Sequence, residues 1–88
     1  MNILVRPATE EDRKKSEDWS VWSKEISEFH WKYDTPETCF ILEGSATVTP
    51  EEGESVSFGV GDFVMFPKGL KCTWKITEPI RKRYQFGG

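Results

Sequence analysis

Glu37 is the residue of this sequence whose position most invites chemistry, because it stands directly before a nearly continuous apolar run at 38–42. A carboxylate that is buried among apolar residues needs a partner, or else it stays protonated. An arginine or lysine from the last predicted strand could supply that partner in a purely structural role. Alternatively, Glu37 could receive an amine, a guanidinium or a ureido N–H, or act as a general acid or base.

Histidine and cysteine are scarce. His30 is the one histidine of the sequence, which excludes every site that needs two or more imidazoles. The two cysteines, Cys39 and Cys72, are too few for a disulfide framework and favour a reducing compartment. We therefore expect a cytoplasmic, intracellular protein with free thiols.

Length and composition restrict the protein class. The 88 residues suffice for one small domain, and the formal net charge is -3. Aromatic residues make up 14% of the chain, a content that argues against disorder. No apolar run approaches the length of a membrane span, and the first residues do not resemble a signal peptide. The sequence thus predicts a single globular domain over 1–88 that has no membrane partner.

The C-terminal part is basic within an acidic protein. Residues 67–88 hold six lysines and arginines against one acid, Glu78. Interleaved aromatic residues raise an alternative function, a basic-face protein that binds nucleic acid or an acidic partner. Because successive residues of a strand face opposite sides, only some of these bases can share a patch, and the net negative charge weakens attraction to phosphates. We therefore do not expect nucleic acid as a partner. The residues concerned are Lys71, Lys75, Arg81, Lys82, Arg83, Trp74 and Tyr84.

The elements that must position these residues are one helix and many short strands. Thr9 can cap a helix of two or three turns, with acidic residues first and basic residues last. The residues at 29, 31 and 33 are apolar and alternate with polar ones, which predicts a strand with one apolar face and an exposed His30. Further strands are expected at 38–42, 46–49, 54–58, 63–66, 71–76 and 80–86, with turns at 43–45 and 50–53. Regular short strands separated by turns predict an all-β sandwich or barrel.

Residues 31–76 resemble a cupin, a small jelly-roll β-barrel also called a double-stranded β-helix. Cupins carry a His-x-His pair, then a glutamate, six residues and a glycine, which Glu37 and Gly44 match. Their second motif is a glycine, five residues, Pro-x-Gly, two residues and a histidine, and Gly61, Pro67 and Gly69 match all of it but the histidine. The upstream W-x-x-W and the segment FHWKYDTPET resemble the small cupins grouped with ureidoglycine aminohydrolase and ethanolamine-utilisation proteins. The resemblance implies an N-terminal helix and edge strand at 1–28 and a barrel at 29–88.

The resemblance also implies where a metal would be bound, and those positions are altered. With three-residue spacing, the histidine places are held by Trp31, Tyr33 and Cys72, so that only Glu37 remains of the ligand set. With four-residue spacing they would be His30 and Lys32, but the alternation turns these two away from the apolar face. One carboxylate and one thiol are too few for a strong site, so we expect no cofactor. If a divalent metal binds, its ligands would be Glu37, Cys72 and Tyr33.

Rings and a thiol in place of imidazoles imply an aromatic-walled pocket with an acid at its base. Such a pocket suits a small polar organic ligand. The predicted lining is Trp31, Tyr33, Glu37, Cys39, Cys72 and Trp74. The alternative is a small cupin enzyme, a hydrolase, lyase or isomerase, in which Glu37 is the general acid or base and Cys72 the nucleophile or second acid.

A homodimer is expected as well, because cupins of this size commonly dimerise. The apolar residues on the opposite side of the predicted strands would form the buried outer face. They are Phe40, Leu42, Phe63 and Met65. Trp19 and Trp22 are expected to pack against the barrel or to contribute to a dimer patch.

Overall fold

Alternating apolar residues form strands along most of the chain, and one short helix interrupts them near the start. The computed structural model describes residues 2–87, so that Met1 and Gly88, the ends of the predicted domain, lie outside the described residues. The elements in chain order are β1 (Leu4–Pro7), α1 (Glu10–Lys15), β2 (Ser20–Lys24), β3 (Ser27–Lys32), β4 (Glu37–Pro50), β5 (Val56–Gly59), β6 (Asp62–Phe66) and β7 (Lys71–Phe86).

All seven strands belong to one antiparallel sheet, in which the two long strands β4 and β7 pair side by side. The register runs from Glu37 opposite Phe86 to Pro50 opposite Cys72. The other edge of β4 pairs first with β6 and then with β5. The other edge of β7 pairs first with β3 and then with β2, while β1 extends the sheet beyond β6. The predicted all-β fold with a short N-terminal helix is confirmed.

The sheet curves so that its inner faces pack against each other. Phe66 of β6 lies with its ring centroid 5.5 Å from Trp74 of β7, although these two strands are not hydrogen-bonded neighbours. The same Phe66 ring stacks on Tyr33 at 4.8 Å. Every second residue of β7 is buried at 72, 74 and 76, as the period of a half-buried strand requires. The core therefore lies inside one curved sheet.

At two places where the sequence predicts a break between strands, the structure has one continuous strand. The turn expected at 43–45 is a series of register shifts inside β4, and the strands expected at 71–76 and 80–86 are one strand, β7. Gly44 allows this irregularity: its φ is +81°, and a Cβ atom there would lie 2.1 Å from the carbonyl oxygen of Pro79. Bulges of this kind bend a strand without ending its pairing. The glycine thus serves a close approach of two backbones.

The helix is shorter than predicted, at six residues, but its cap is as expected. Thr9 Oγ1 accepts a hydrogen bond from the Asp12 amide, and an Asp12 carboxylate oxygen accepts one from the Thr9 amide. This reciprocal capping box satisfies two backbone donors. The described residues contain no helix with the length and hydrophobicity that a membrane crossing requires.

The N-terminal segment covers part of the outer apolar face that was expected to mediate dimerisation, while Leu42 and Met65 of that face are half-buried. Phe40 and Phe63 are buried, with Arg13 over the Phe40 ring, and with Arg6 and Trp19 against Phe63. One edge strand was expected in this segment, whereas the structure has two, β1 and β2, which are only four and five residues long. The homodimer stays a prediction, and the chain itself covers Phe40 and Phe63.

Candidate functional site

A cavity of about 220 Å³ opens between the inner faces of the sheet. Seven of its nine described lining residues are aromatic, and the other two form an ion pair. The aromatic residues are Trp22, Phe29, Trp31, Tyr33, Trp74, Tyr84 and Phe86, and the charged ones are Glu37 and Lys82. Cavities that bind small molecules have this make-up, with apolar walls and a few placed polar groups.

The ion pair is almost completely buried. Lys82 Nζ lies 3.2 Å from Glu37 Oε1 and 3.1 Å from Oε2, and the two side chains are only 6% and 4% exposed. Strand pairing brings them together: Glu37 opens β4, while Lys82 lies opposite Ile41, four residues further along the same strand. Both side chains point to the inner face. The structural role foreseen for a basic residue of the last strand is therefore filled by Lys82.

Aromatic faces surround the Lys82 ammonium. Nζ lies 4.8 Å from the Trp74 ring centroid, 5.0 Å from that of Trp22 and 5.8 Å from that of Tyr84. A desolvated cation is attracted to the negative face of such rings. The carboxylate and the three rings together replace the water that the ammonium loses on burial.

Tyr33 and Trp74 are the most deeply buried of the described lining residues. Trp74 Nε1 donates a hydrogen bond of 3.2 Å to Tyr33 Oη. Burial, together with the negative charge of Glu37, raises the pKa of the Tyr33 hydroxyl far above its ordinary value. Tyr33 is therefore a neutral phenol at any physiological pH.

Two aromatic side chains lie at the mouth of the cavity. Trp31 is 48% exposed and Phe86 is 50% exposed, although both line the same space as the buried pair. The Trp31 ring meets Tyr33 edge to face at 6.4 Å. Tyr33, directly after β3, is buried, whereas Trp31 within β3 is half exposed, so the cavity is open to solvent on the Trp31 side.

The two cysteines lie in the core beside the cavity and are not among its described lining residues. Burial raises the pKa of the Cys39 thiol to about 12. Burial and the Glu37 charge raise that of Cys72 to about 11. The Cys72 thiol points at the backbone oxygen of Trp31, 3.6 Å away. Four of the six predicted lining residues thus meet in the cavity, namely Trp31, Tyr33, Glu37 and Trp74.

Five lining residues were not predicted for the site, although the sequence held signals for most of them. Lys82, Tyr84 and Phe86 share the strand parity of Trp74 along β7, and Phe29 shares that of Trp31. Because two separate strands were predicted at 71–76 and 80–86, the parity of Trp74 was not extended to Lys82, Tyr84 and Phe86. Trp22 was expected to pack against the barrel or to contribute to a dimer patch, and the structure places its ring edge-on to Phe29 and Trp74 in the cavity wall. The continuity of β7 thus accounts for three of the five additional lining residues, Lys82, Tyr84 and Phe86.

The same parity separates the basic residues from the aromatic ones. Lys71, Lys75 and Arg81 are exposed, whereas Lys82 is buried with Trp74 on the inner face. Tyr84 also lines the cavity. The interleaved bases and aromatics of β7 therefore do not form one surface, as a nucleic-acid patch would require.

The donor atoms at the altered positions do not suit a divalent metal. Both oxygens of Glu37 are engaged by Lys82, and the raised pKa values of Cys72 and Tyr33 keep these groups protonated. Metal ligands must be deprotonated. Among residues 2–87, no group of three or more histidine, cysteine, aspartate or glutamate side chains is placed to hold an ion. His30 lies outside, exposed as predicted, with Nδ1 2.9 Å from Thr73 Oγ1.

Comparison with known proteins relates the chain to cupins. The family model of the EutQ-like cupin domain matches residues 11–84. A DUF861 family protein of Thermotoga maritima superposes with a TM-score of 0.93 at 48% identity, over 97% of this chain and 99% of that protein. A comparison with curated protein sequences gave no significant match.

More distant structures show the same fold. A protein of Salmonella typhimurium described as putative ethanolamine utilization protein Q has a TM-score of 0.71 at 22% identity, over 97% of this chain and 68% of that one. The EutQ protein of Clostridium difficile has a TM-score of 0.71 at 18% identity, over 97% and 67%. The predicted cupin fold is confirmed.

Proposed function

We propose that this chain, which belongs to the EutQ-like cupin domain family, binds a small polar organic ligand in its aromatic cavity without the three-histidine metal site of other cupins. One observation carries the proposal: a buried ion pair, Glu37–Lys82, lines a cavity whose other described lining residues are aromatic and include the exposed Trp31. A ligand entering there would meet apolar rings along its sides and polar atoms at its end.

The cavity volume limits the ligand to a small molecule. A volume of 220 Å³ corresponds to about seven waters at ~30 Å³ each. This space fits one six-membered ring with a short head group. Seven aromatic side chains line this space, so such a ring would lie against ring surfaces. We therefore propose a flat ligand whose head group lies against Glu37 and Lys82.

Two observations favour binding over the alternative enzyme that uses Glu37 and Cys72. The Cys72 thiol has a pKa raised to about 11, which makes it a poor nucleophile at neutral pH. Glu37 is held by Lys82 through both oxygens, so its proton-transfer capacity is engaged before any substrate arrives. A reaction in this cavity would have to use Glu37 and Lys82 together, and not Glu37 with the Cys72 thiol.

A nuclear magnetic resonance titration with three one-ring probes, benzamide, benzoate and benzylamine, tests the proposal. At millimolar concentration, at least one probe is expected to shift the indole N–H resonances of Trp22 and Trp74. The resonance of Trp19, which packs outside against Phe63, should not move. If none of the three probes moves the cavity resonances, the proposed function is wrong.

A pair of tryptophan variants provides the matched control. Trp31→Ala removes an exposed ring at the mouth and is expected to weaken the best probe roughly 2- to 10-fold, the value of one aromatic contact of about 0.5–1.5 kcal/mol. Trp19→Ala removes the same side chain from the outer face and should leave the affinity unchanged. Equal losses in both variants would contradict binding in this cavity.

A further inference from the structure

We infer that the cavity selects an uncharged head group that carries an N–H donor beside a carbonyl acceptor, as in a primary carboxamide or a lactam. It should reject carboxylates and ammonium groups of the same size. This inference rests on the proposed function and specifies the chemical class of the ligand.

The first reason is charge balance. Glu37 and Lys82 carry opposite charges, and they lie 3.1 Å apart with almost no exposure to solvent. No other described lining residue is charged at neutral pH, because Tyr33 stays a phenol. A charged head group would therefore add an unpaired charge to a neutral, apolar cavity, or would displace one partner of the pair. Both alternatives are unfavourable in a desolvated site, because a buried charge without a partner loses its hydration.

The second reason is the remaining hydrogen-bonding capacity of the pair. An ammonium has three N–H donors, and the Lys82 contacts to Glu37 use at most two of them. A carboxylate offers about four acceptor positions, of which Lys82 occupies two. Both side chains line the cavity. A donor and an acceptor thus lie side by side, which is the complement of one edge of an amide.

The third reason is that the polar side-chain atoms of Tyr33 and Trp74 are already paired with each other. Trp74 Nε1 donates to Tyr33 Oη, and the remaining walls are ring faces. The recognition of a polar head therefore falls to Glu37 and Lys82. The ring faces accept the flat apolar remainder of the ligand and disfavour anions, and their attraction for a cation is already engaged by the Lys82 ammonium.

The test ranks benzamide, benzoate and benzylamine by dissociation constant on the unaltered protein at pH 7. Benzamide is expected to bind at least tenfold more tightly than either charged probe. Equal or tighter binding of benzoate or benzylamine would overturn the selectivity while leaving the proposed function in place. The absence of binding by all three would instead overturn the proposed function itself.

Charge-altering variants sharpen the ranking. Glu37→Gln leaves the Lys82 cation alone and should shift the preference to benzoate, whereas Lys82→Met should shift it to benzylamine. Lys75→Met, on the exposed face of the same strand, is the matched control and should keep benzamide first. An unchanged ranking in both cavity variants would contradict the inference. If either variant fails to fold, the ranking on the unaltered protein still decides.

Discussion

Two ion pairs of this molecule have similar geometry and opposite surroundings. Glu37 and Lys82 meet inside the aromatic cavity, with side chains 4% and 6% exposed. Arg6 and Asp12 meet nearer the surface, where their side chains are 44% and 13% exposed and share two hydrogen bonds. The surface pair connects β1 to the capped start of α1. The buried pair determines the electrostatics of the cavity, because no water screens it.

The comparison shows that contact distance alone does not decide what an ion pair does. In the interior, each charge depends on its partner, because neither can be hydrated. At the surface, water replaces a lost partner at little cost. We therefore expect the two pairs to respond very differently to substitution, pH and salt.

The largest expected effect is that of Lys82→Met, which leaves Glu37 buried without a partner. The free energy of unfolding should fall by about 3–5 kcal/mol, as measured by urea denaturation followed by tryptophan fluorescence. The double variant Glu37→Leu/Lys82→Met removes both charges and should recover most of this loss. A loss in the single variant no greater than that of exposed Lys75→Met would show that the burial of the pair is unimportant.

Thiol reactivity probes the same interior and should give the next largest effect. The pKa of Cys72 at about 11, against 9.0 ordinarily, lowers its thiolate fraction at neutral pH about a hundredfold. Alkylation of the folded protein should therefore be slow at pH 7 and should rise steadily up to about pH 11. Cys39, with a pKa of about 12, should react more slowly still.

The urea-unfolded protein is the control for this measurement, since both thiols should then react at ordinary rates. Rapid alkylation of the folded protein at pH 7 would mean that one thiol reaches solvent, and it would reopen the assignment of Cys72 as a nucleophile.

The smallest expected effect is that of Asp12→Asn at the surface. The Arg6 guanidinium, followed by the Thr9 amide, holds the pKa of the Asp12 carboxyl well below its usual range. A lowered folded-state pKa contributes stability that is present above the unfolded value of about 3.9 and is lost as pH falls through the folded value. The difference in stability between the native protein and Asp12→Asn should thus be small at pH 7 and vanish in strong acid.

Salt provides the second arm of this experiment. Because Arg6 is largely exposed, added salt should reduce the small difference at pH 7 further. A loss at pH 7 comparable to that of Lys82→Met, or one unaffected by salt, would contradict the contrast between the two pairs.

The fold was largely predictable, because it depends on local signals. The alternation at 29–33 identified β3, and Thr9 with Asp12 identified the start of the helix. The prediction failed at 43–45 and near 79, where glycine and proline usually end strands. There, Gly44 instead lets the backbone pass against Pro79, and β4 and β7 continue. A bulge and a turn share residue types, and only the pairing of two distant strands distinguishes them.

The site was predictable in part. Trp31, Tyr33, Glu37 and Trp74 were placed together from motif spacing and strand parity, and the structure brings them into one cavity. Lys82 was foreseen only as an unspecified basic residue of the last strand. Lys82, and not Arg81 or Arg83, faces the cavity because of the parity of β7, and the sequence predicted a break in that strand.

The sequence by itself determined the strand periodicity, the capped helix and an acid set within an apolar run, because these follow from the nearest neighbours along the chain. Only the tertiary structure decided that Lys82 neutralises that acid, that Trp22 lines the cavity and that the cysteines lie beside it. These outcomes depend on the curvature and register of β4 and β7, which bring residues 45 positions apart within hydrogen-bonding distance.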